Sequence, residues 1–279
     1  LGVGPGALVS DAYQLGIDPP TQRPRMDESI GIIKRLLTES NPITYKSDWF
    51  TLNEALLHLR PYTQPHFPIA VAAAQSPSGM VAAGKHGLGV LSVSVVRGGS
   101  ISSNLGDFWN IAEETAESYG QTVDRKEWRI VLHVHLAESR KEAMEQVRER
   151  SAAYQYDYFH QTMGMPFEYD GPREKIADYM VANGAWCVGT PDDLIAKIKE
   201  LDEQSGGFGG FMIQATEWGT REQVMHSYEL IARYVMPHFQ GSLTNLQISQ
   251  KWSEEHRDEL QSLKTVSIDK AISDYRETK

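Results

Sequence analysis

The stretch AVAAAQSPSGMVAAGKHGLGVLS, residues 70–92, decides how the rest of the chain is read. Its first five residues are small and apolar. The run breaks at Gln75-Ser76-Pro77-Ser78-Gly79, resumes with helical character, turns at His86-Gly87 and enters a second apolar run. A buried strand, a polar loop, a short helix and a second buried strand make a βαβ unit, in which the strands are parallel and covered on both faces. Folds of that kind take ligands at the carboxyl ends of their strands, and Gln75 to Gly79 fall there. Ser76 and Ser78 offer hydroxyls, Gly79 permits close approach, and the helix that follows presents free N–H groups at its positive end. These are the parts of a phosphate site. They are also what an ordinary helix cap needs. From this stretch alone both readings stand.

Outward from it, the same alternation recurs. LGVGPG (1–6) reads as a strand end and a glycine turn, FPIAVAAA (67–74), LGVLSVSV (88–95), WRIVLHVHLAE (128–138) and FGGFMIQAT (208–216) as strands. Between them, Met26, Ile30, Ile33, Leu36 and Leu37 recur at helical spacing after a Pro- and Asp-rich loop. Residues 41–66 are irregular with short strands. FWNIAEETAESYG, the run from Ser139 to His160, and TREQVMHSYELIARYVMPHF read as helices. GTPDDLIAKIKELDEQSGG has Thr190 as N-cap, Pro191 in the first position, two acids next and a glycine pair at the end, which predicts a helix with defined limits. Residues 161–186 read as an insertion. About five βα units result, the pattern of a parallel sheet with helices outside. A closed (β/α)8 barrel has eight, so these are expected to be the last five, with roughly 100 residues of barrel preceding them at ~30 per unit. The alternative is a five-stranded doubly wound sheet. Residues 1–240 are expected to form the barrel portion and 241–279 a helical extension, anchored by Leu246, Ile248, Trp252, Leu260 and Leu263.

Bulk properties narrow the function. The 279 residues carry 37 acids against 27 bases, a net charge of −10, which argues against a nucleic-acid surface. The single cysteine, Cys187, excludes an intrachain disulfide and a cysteine metal cage. No apolar run approaches the ~18 residues of a membrane span, and a cytoplasmic location fits. No metal-ligand set, nucleophile elbow or P-loop is present. LGVGPG lacks the third glycine of a dinucleotide loop.

Four segments in order, LGVGPGALVSDAYQLGID, FPIAVAAAQSPSGMVAAGKHGLGVLS, VGTPDDLIAKIKELDEQSGGFGGFMI and SYELIARYVMPHF, resemble the bacterial luciferase-like family of flavin-dependent monooxygenases. The resemblance spans Leu1 to about Gln240 and is strongest to the limonene (monoterpene) monooxygenase branch. It implies an α/β fold, a (β/α)8 TIM barrel of the luciferase-like type. It implies reduced FMN as cofactor, with FAD or a deazaflavin as alternatives, and oxidation of a small apolar substrate by oxygen. A separate reductase would supply the flavin. A homodimer is expected. Gln75, Ser76, Ser78 and Gly79 match the family segment that holds the flavin phosphate, and Gly4, Pro5 and Gly6 a segment lying along the flavin. Some relatives carry a phosphate-binding arginine where this chain has Pro5. Arg25 or Arg23 is the replacement the sequence offers, unless each pairs with Asp27 or Glu28. Two other functions stay open: a deazaflavin-dependent oxidoreductase on the same fold, and a non-catalytic subunit that binds flavin or stabilises a partner.

His133 and His135 alternate on one strand and so share a face. With Leu132, Val134 and Leu136 toward the helices, the histidines point inward, as polar filling or as catalytic groups. Two histidines are too few for a metal. Gln214 and Trp218 close the last strand, where Trp218 is a candidate wall for an apolar substrate pocket. Trp109, Trp128 and Trp186 are expected to be packing residues.

Overall fold

The computed structural model describes residues 1–74, 76–94 and 104–278. Strands β1 (Gly2–Val3), β4 (Ala70–Ala73), β5 (Gly89–Val93), β6 (Trp128–Leu136), β7 (Trp186–Gly189) and β8 (Gly210–Gln214) form one parallel sheet. Its order is β1-β4-β5-β6-β7, with β8 also paired to β6. In register, Val71 lies beside Val90, Val90 beside Trp128, and Ile130 beside Phe211. A separate antiparallel hairpin joins β2 (Ile43–Lys46) to β3 (Thr51–Ala55).

Helices follow the strands and cover the sheet: α3 (Ser78–His86) after β4, α4 (Leu105–Ser118) after β5, α5 (Arg140–Ala152) after β6 and α7 (Pro191–Ser205) after β7. The strand sequences explain the layering. On β6, Trp128, Ile130, Leu132 and Val134 are buried while Arg129, Val131 and His133 are only half-buried. Period-2 alternation therefore sends the first set to one face and the second to the other. Trp128 stacks on Trp109 of α4 at 4.9 Å between centroids, and its indole nitrogen donates to Ser92 Oγ at 2.8 Å. A large buried side chain thus keeps its polar atom satisfied.

Two glycines set how close α3 comes. A Cβ on Gly79 would stand 2.6 Å from the Ala72 carbonyl oxygen and 2.8 Å from Ala73 Cβ, so the helix rests directly on β4. A Cβ on Gly84 would collide with the Ala112 carbonyl oxygen of α4. Gly79 is therefore a packing glycine whose Cβ position faces the strand. On α7, the capping box is complete: Thr190 Oγ1 accepts from the Asp193 N–H, and Asp193 accepts from the Thr190 N–H at 2.9 Å.

The structure departs from the sequence reading in four places. A short helix α1 (Val9–Gln14) occupies part of the expected loop, and α2 begins at Pro19 and runs to Thr38. Pro19 and Pro20 sit in the first turn, where a missing N–H costs nothing; Pro24 lies inside the helix. The segment 161–186 carries helix α6 (Ile176–Ala182) and ends in β7, a strand too short for its period to show. The helix from Arg140 changes at Ala153 into a π-helix that runs to Thr162 and closes with Met163 N–H donating to the Tyr158 carbonyl, five residues back. Finally, the helix expected over TREQVMHSYELIARYVMPHF divides into α8 (Arg221–Leu230), a π-helical turn (Ile231–Val235) and α9 (Met236–Gln240), with Pro237 inside the last.

The chain packs as two compact units, Leu1–Ser227 and Tyr228 onward. The first holds both sheets. The second contains a π-helical turn (Ile231–Val235), α9, α10 (Thr244–Glu255) and α11 (Arg257–Glu277). Leu246, Ile248, Trp252, Leu260 and Leu263, expected to be anchors, are exposed: the apolar spacing of these helices is real, but it does not bury them. Among the described residues, no helix is long and apolar enough to cross a membrane.

Candidate active site

A cavity of about 470 Å³ opens at the carboxyl ends of the strands. Ala7 and Leu8 reach it from the loop after β1, Ala74 from just past β4, Val93 from β5 with Ser94 just past it, Val131 and His133 from β6, and Gln214 from β8. The chain after α5 roofs it with Tyr154, Phe159, Met163, Met165 and Pro166, and Met180 and Trp186 complete the wall. Most of this lining is apolar, and the volume is that of a small-molecule site. A larger groove of about 850 Å³ lies beside α6 and α7, bordered by Arg140, Asp193, Lys197 and Glu200. Its charges are already paired, Arg140 with Asp193 and Lys197 with Glu200. The smaller apolar cavity sits where a parallel α/β fold places its chemistry.

The polar end of the cavity is one connected group. Tyr154 Oη lies 3.1 Å from His133 Nε2 and 3.1 Å from Gln214 Nε2. The His133 ring stacks on Trp218 at 5.4 Å with 5° between planes, and Trp186 packs on Trp218 at 4.3 Å. Burial first, and then the neighbouring Tyr158, raise the pKa of the Tyr154 phenol above its ordinary value, so it keeps its proton. His133 and Gln214 thus meet at the cavity. Tyr154 was not singled out, because nothing in the helical run SAAYQYDYFH marks one tyrosine among three.

The other expected residues are placed differently. His135 shares the face of His133 but does not line the cavity. It is buried, with Nε2 2.7 Å from Gln146 Oε1 of α5. Burial pushes its pKa below the usual imidazole value, and the Gln146 hydrogen bond opposes this. Trp218 does not line the cavity either; it stands behind His133, its indole nitrogen buried without a hydrogen-bond partner among the described residues. Trp186, expected only to pack, is part of the wall.

The loop after β4 begins at Ala74 on the cavity wall; Gln75 lies outside the described residues. Ser76 Oγ and Ser78 Oγ are 2.8 Å apart, and Arg23 Nε donates to Ser78 Oγ at 3.2 Å. The N-cap of α3 is Pro77, with no side-chain cap, so neither serine serves as the cap. Arg25 forms no ion pair with its acidic neighbours. Asp27 is held by Lys85 at 2.5 Å and His86 at 2.8 Å, and Glu28 accepts from Tyr45, Ser47 and Trp49. Arg25 instead lies over the Trp49 ring at 5.3 Å, and its Nε is buried without a partner among the described residues. Gly4, Pro5 and Gly6 lead from β1 toward Ala7 and Leu8; Gly6 has φ +88°, and a Cβ there would press on Gln22 at 2.8 Å. Among the described residues no group of three or more His, Cys, Asp or Glu stands together to hold a metal ion.

The fold and the position of this cavity define a parallel α/β enzyme of the TIM-barrel type, and comparison with known proteins gives the family. The sequence profile of the luciferase-like monooxygenases matches residues 1–207, and the chain belongs to that family of oxidoreductases. It is 38% identical over 256 residues to 4-hydroxyprotoasukamycin monooxygenase of Streptomyces nodosus subsp. asukaensis, covering 91% of this chain and 69% of that protein. It is 40% identical over 243 residues to limonene 1,2-monooxygenase of Rhodococcus erythropolis, covering 87% of this chain and 61% of that protein. Its fold matches the FMN complex of the oxygenating constituent of 3,6-diketocamphane monooxygenase from Pseudomonas putida with a TM-score of 0.64, at 23% identity, covering 85% of this chain and 70% of that one.

Proposed function

We propose that this chain is a monooxygenase that uses reduced FMN, supplied by a separate reductase, and oxygen to oxidise a small, largely apolar compound such as a monoterpene. The carrying observation is the pairing of an apolar cavity at the strand ends with a cationic hydroxyl cluster at the loop beside it. The cluster fits a flavin phosphate. Arg23 and the two serines gather donors at one place. Bound there, the flavin would supply the oxygen-activating chemistry.

The rest of the work belongs to the chain's own residues. Leu8, Phe159, Met163, Met165 and Met180 exclude water and give an apolar substrate its contact surface. His133, Tyr154 and Gln214 form the polar end, where a proton can be held or moved. Incubation with reduced FMN, oxygen and a panel of small terpenes and cyclic ketones tests this. The expected result is substrate-dependent incorporation of one oxygen atom. Flavin binding without any oxygenated product across the panel would favour the non-catalytic reading.

A further inference from the structure

We propose that Tyr154 is a positioning residue that fixes the tautomer of His133, holding Nε2 as a hydrogen-bond acceptor and the proton on Nδ1. The inference concerns the site described above, and its structural part holds whatever the substrate is.

It follows from counting protons. A phenol has one proton to give and lone pairs to accept with. The amide nitrogen Nε2 of Gln214 can only donate, and it lies 3.1 Å from Tyr154 Oη. Tyr154 accepts that bond and still holds its own proton. The ring nitrogen His133 Nε2, also 3.1 Å from Oη, is the acceptor in reach among the described residues. A neutral imidazole that accepts at Nε2 carries its proton on Nδ1. The chain therefore runs in one direction, from Gln214 through Tyr154 to His133.

Packing keeps the two ring nitrogens from exchanging places. Trp218 lies parallel to the imidazole at 5.4 Å, Trp186 is at 6.1 Å, and the Tyr154 ring meets its edge at 5.5 Å. Tyr154 is itself held, edge-on to Phe159 at 4.8 Å and to Trp218 at 5.7 Å. The π-helix contributes the position: its wider turn follows α5 directly and brings Tyr154, its second residue, onto a strand-end histidine and glutamine. π-helical turns are frequent at functional sites for this kind of local re-aiming.

Tyr154→Phe removes the hydroxyl and keeps the ring. The test is two-bond ¹H–¹⁵N correlation of the full chain labelled with ¹⁵N-histidine, above pH 8, with the His133 signals assigned by their absence in His133→Asn. The expected wild-type spectrum shows Nε2 as the unprotonated nitrogen of His133, and Tyr154→Phe shifts it toward the Nε2–H form. A wild-type His133 protonated at Nε2 would overturn the proposal, since the chain would then run from histidine to tyrosine to the Gln214 oxygen. So would a spectrum unchanged by Tyr154→Phe. These readouts need neither flavin nor turnover, so they stand apart from the assigned activity. With substrate, the loss of one neutral hydrogen bond predicts a kcat about 5- to 10-fold lower at unchanged KM. An equal rise in KM at unchanged kcat would mark Tyr154 as a substrate contact only.

Discussion

Gly79→Ala places a single methyl group between α3 and β4. It would stand 2.6 Å from the Ala72 carbonyl oxygen, 2.8 Å from Ala73 Cβ and 2.9 Å from Ala73 Cα. All three belong to the backbone or first side-chain atom of a strand locked between β1 and β5, so none can swing aside. On the other side α3 is pressed to α4 at Gly84, where an added Cβ has no room. The helix must therefore lift as a body or the strand must bend. Overpacking of this kind costs about 1–3 kcal/mol. Replacing glycine by alanine in a helix returns up to ~1 kcal/mol. The net loss is about 1–2 kcal/mol, or roughly 2–8 °C in Tm for a unit of this size. Guanidinium and thermal unfolding followed by circular dichroism would measure it. Ser78 precedes Gly79 directly, so the same variant is expected to weaken FMN binding. A variant as stable as the parent, or more stable, would refute the close approach of α3 to β4 and with it the placement of the serines.

Four further outcomes follow. Asp193, held at about 2 by Arg140 and also by the Thr190 amide and hydroxyl, against the opposing effect of burial, has a depressed pKa. Its stabilising contribution is present above the ordinary carboxylate pKa and lost as pH falls from about 4 toward 2; Asp193→Asn should remove that limb of the acid unfolding curve and cost about 0.5–2 kcal/mol near neutrality. His135 is held neutral by burial, so the folded state resists its protonation. Stability should therefore decline as pH falls below about 6.5, the ordinary histidine value, and His135→Gln should flatten that decline in pH-dependent denaturant titrations. Trp186→Ala is expected to cost about 3–5 kcal/mol and to enlarge the cavity, read as a fall in Tm together with looser substrate selectivity. Trp218→Phe removes a buried indole N–H that has no partner among the described residues. The relief and the lost packing are of similar size, so its stability should stay within ~1 kcal/mol of the parent in chemical denaturation.

The strands and their order in the chain could be read from sequence because each buried run is bounded by glycine or polar residues. Trp128–Leu136 and Gly210–Gln214 fall inside the expected limits, and the α7 cap was written out as Thr190-Pro191-Asp192-Asp193. The strand Trp186–Gly189 could not be read, since four residues carry no period. The early start of α2 was hidden because proline signals both a break and a first turn, and only the backbone decides which. For the site, strand alternation put His133 and His135 on one face, yet it could not tell that one reaches the cavity and the other ends beneath α5. Tyr154 was out of reach altogether: its place depends on a change from α- to π-helical winding, which leaves the apolar pattern unchanged.

The central claim is that a flavin phosphate is held by the cluster of Ser76, Ser78 and Arg23. Titration of the full 279-residue chain with FMN, followed by flavin fluorescence, tests it directly beside Ser76→Ala/Ser78→Ala and Arg23→Gln. Saturable binding in the parent, weakened about tenfold or more in both variants with their folds intact, is the predicted result, one charged hydrogen bond being worth about 1.5–3 kcal/mol. Binding of equal strength in all three chains would contradict the account and move the phosphate elsewhere on the sheet's carboxyl face.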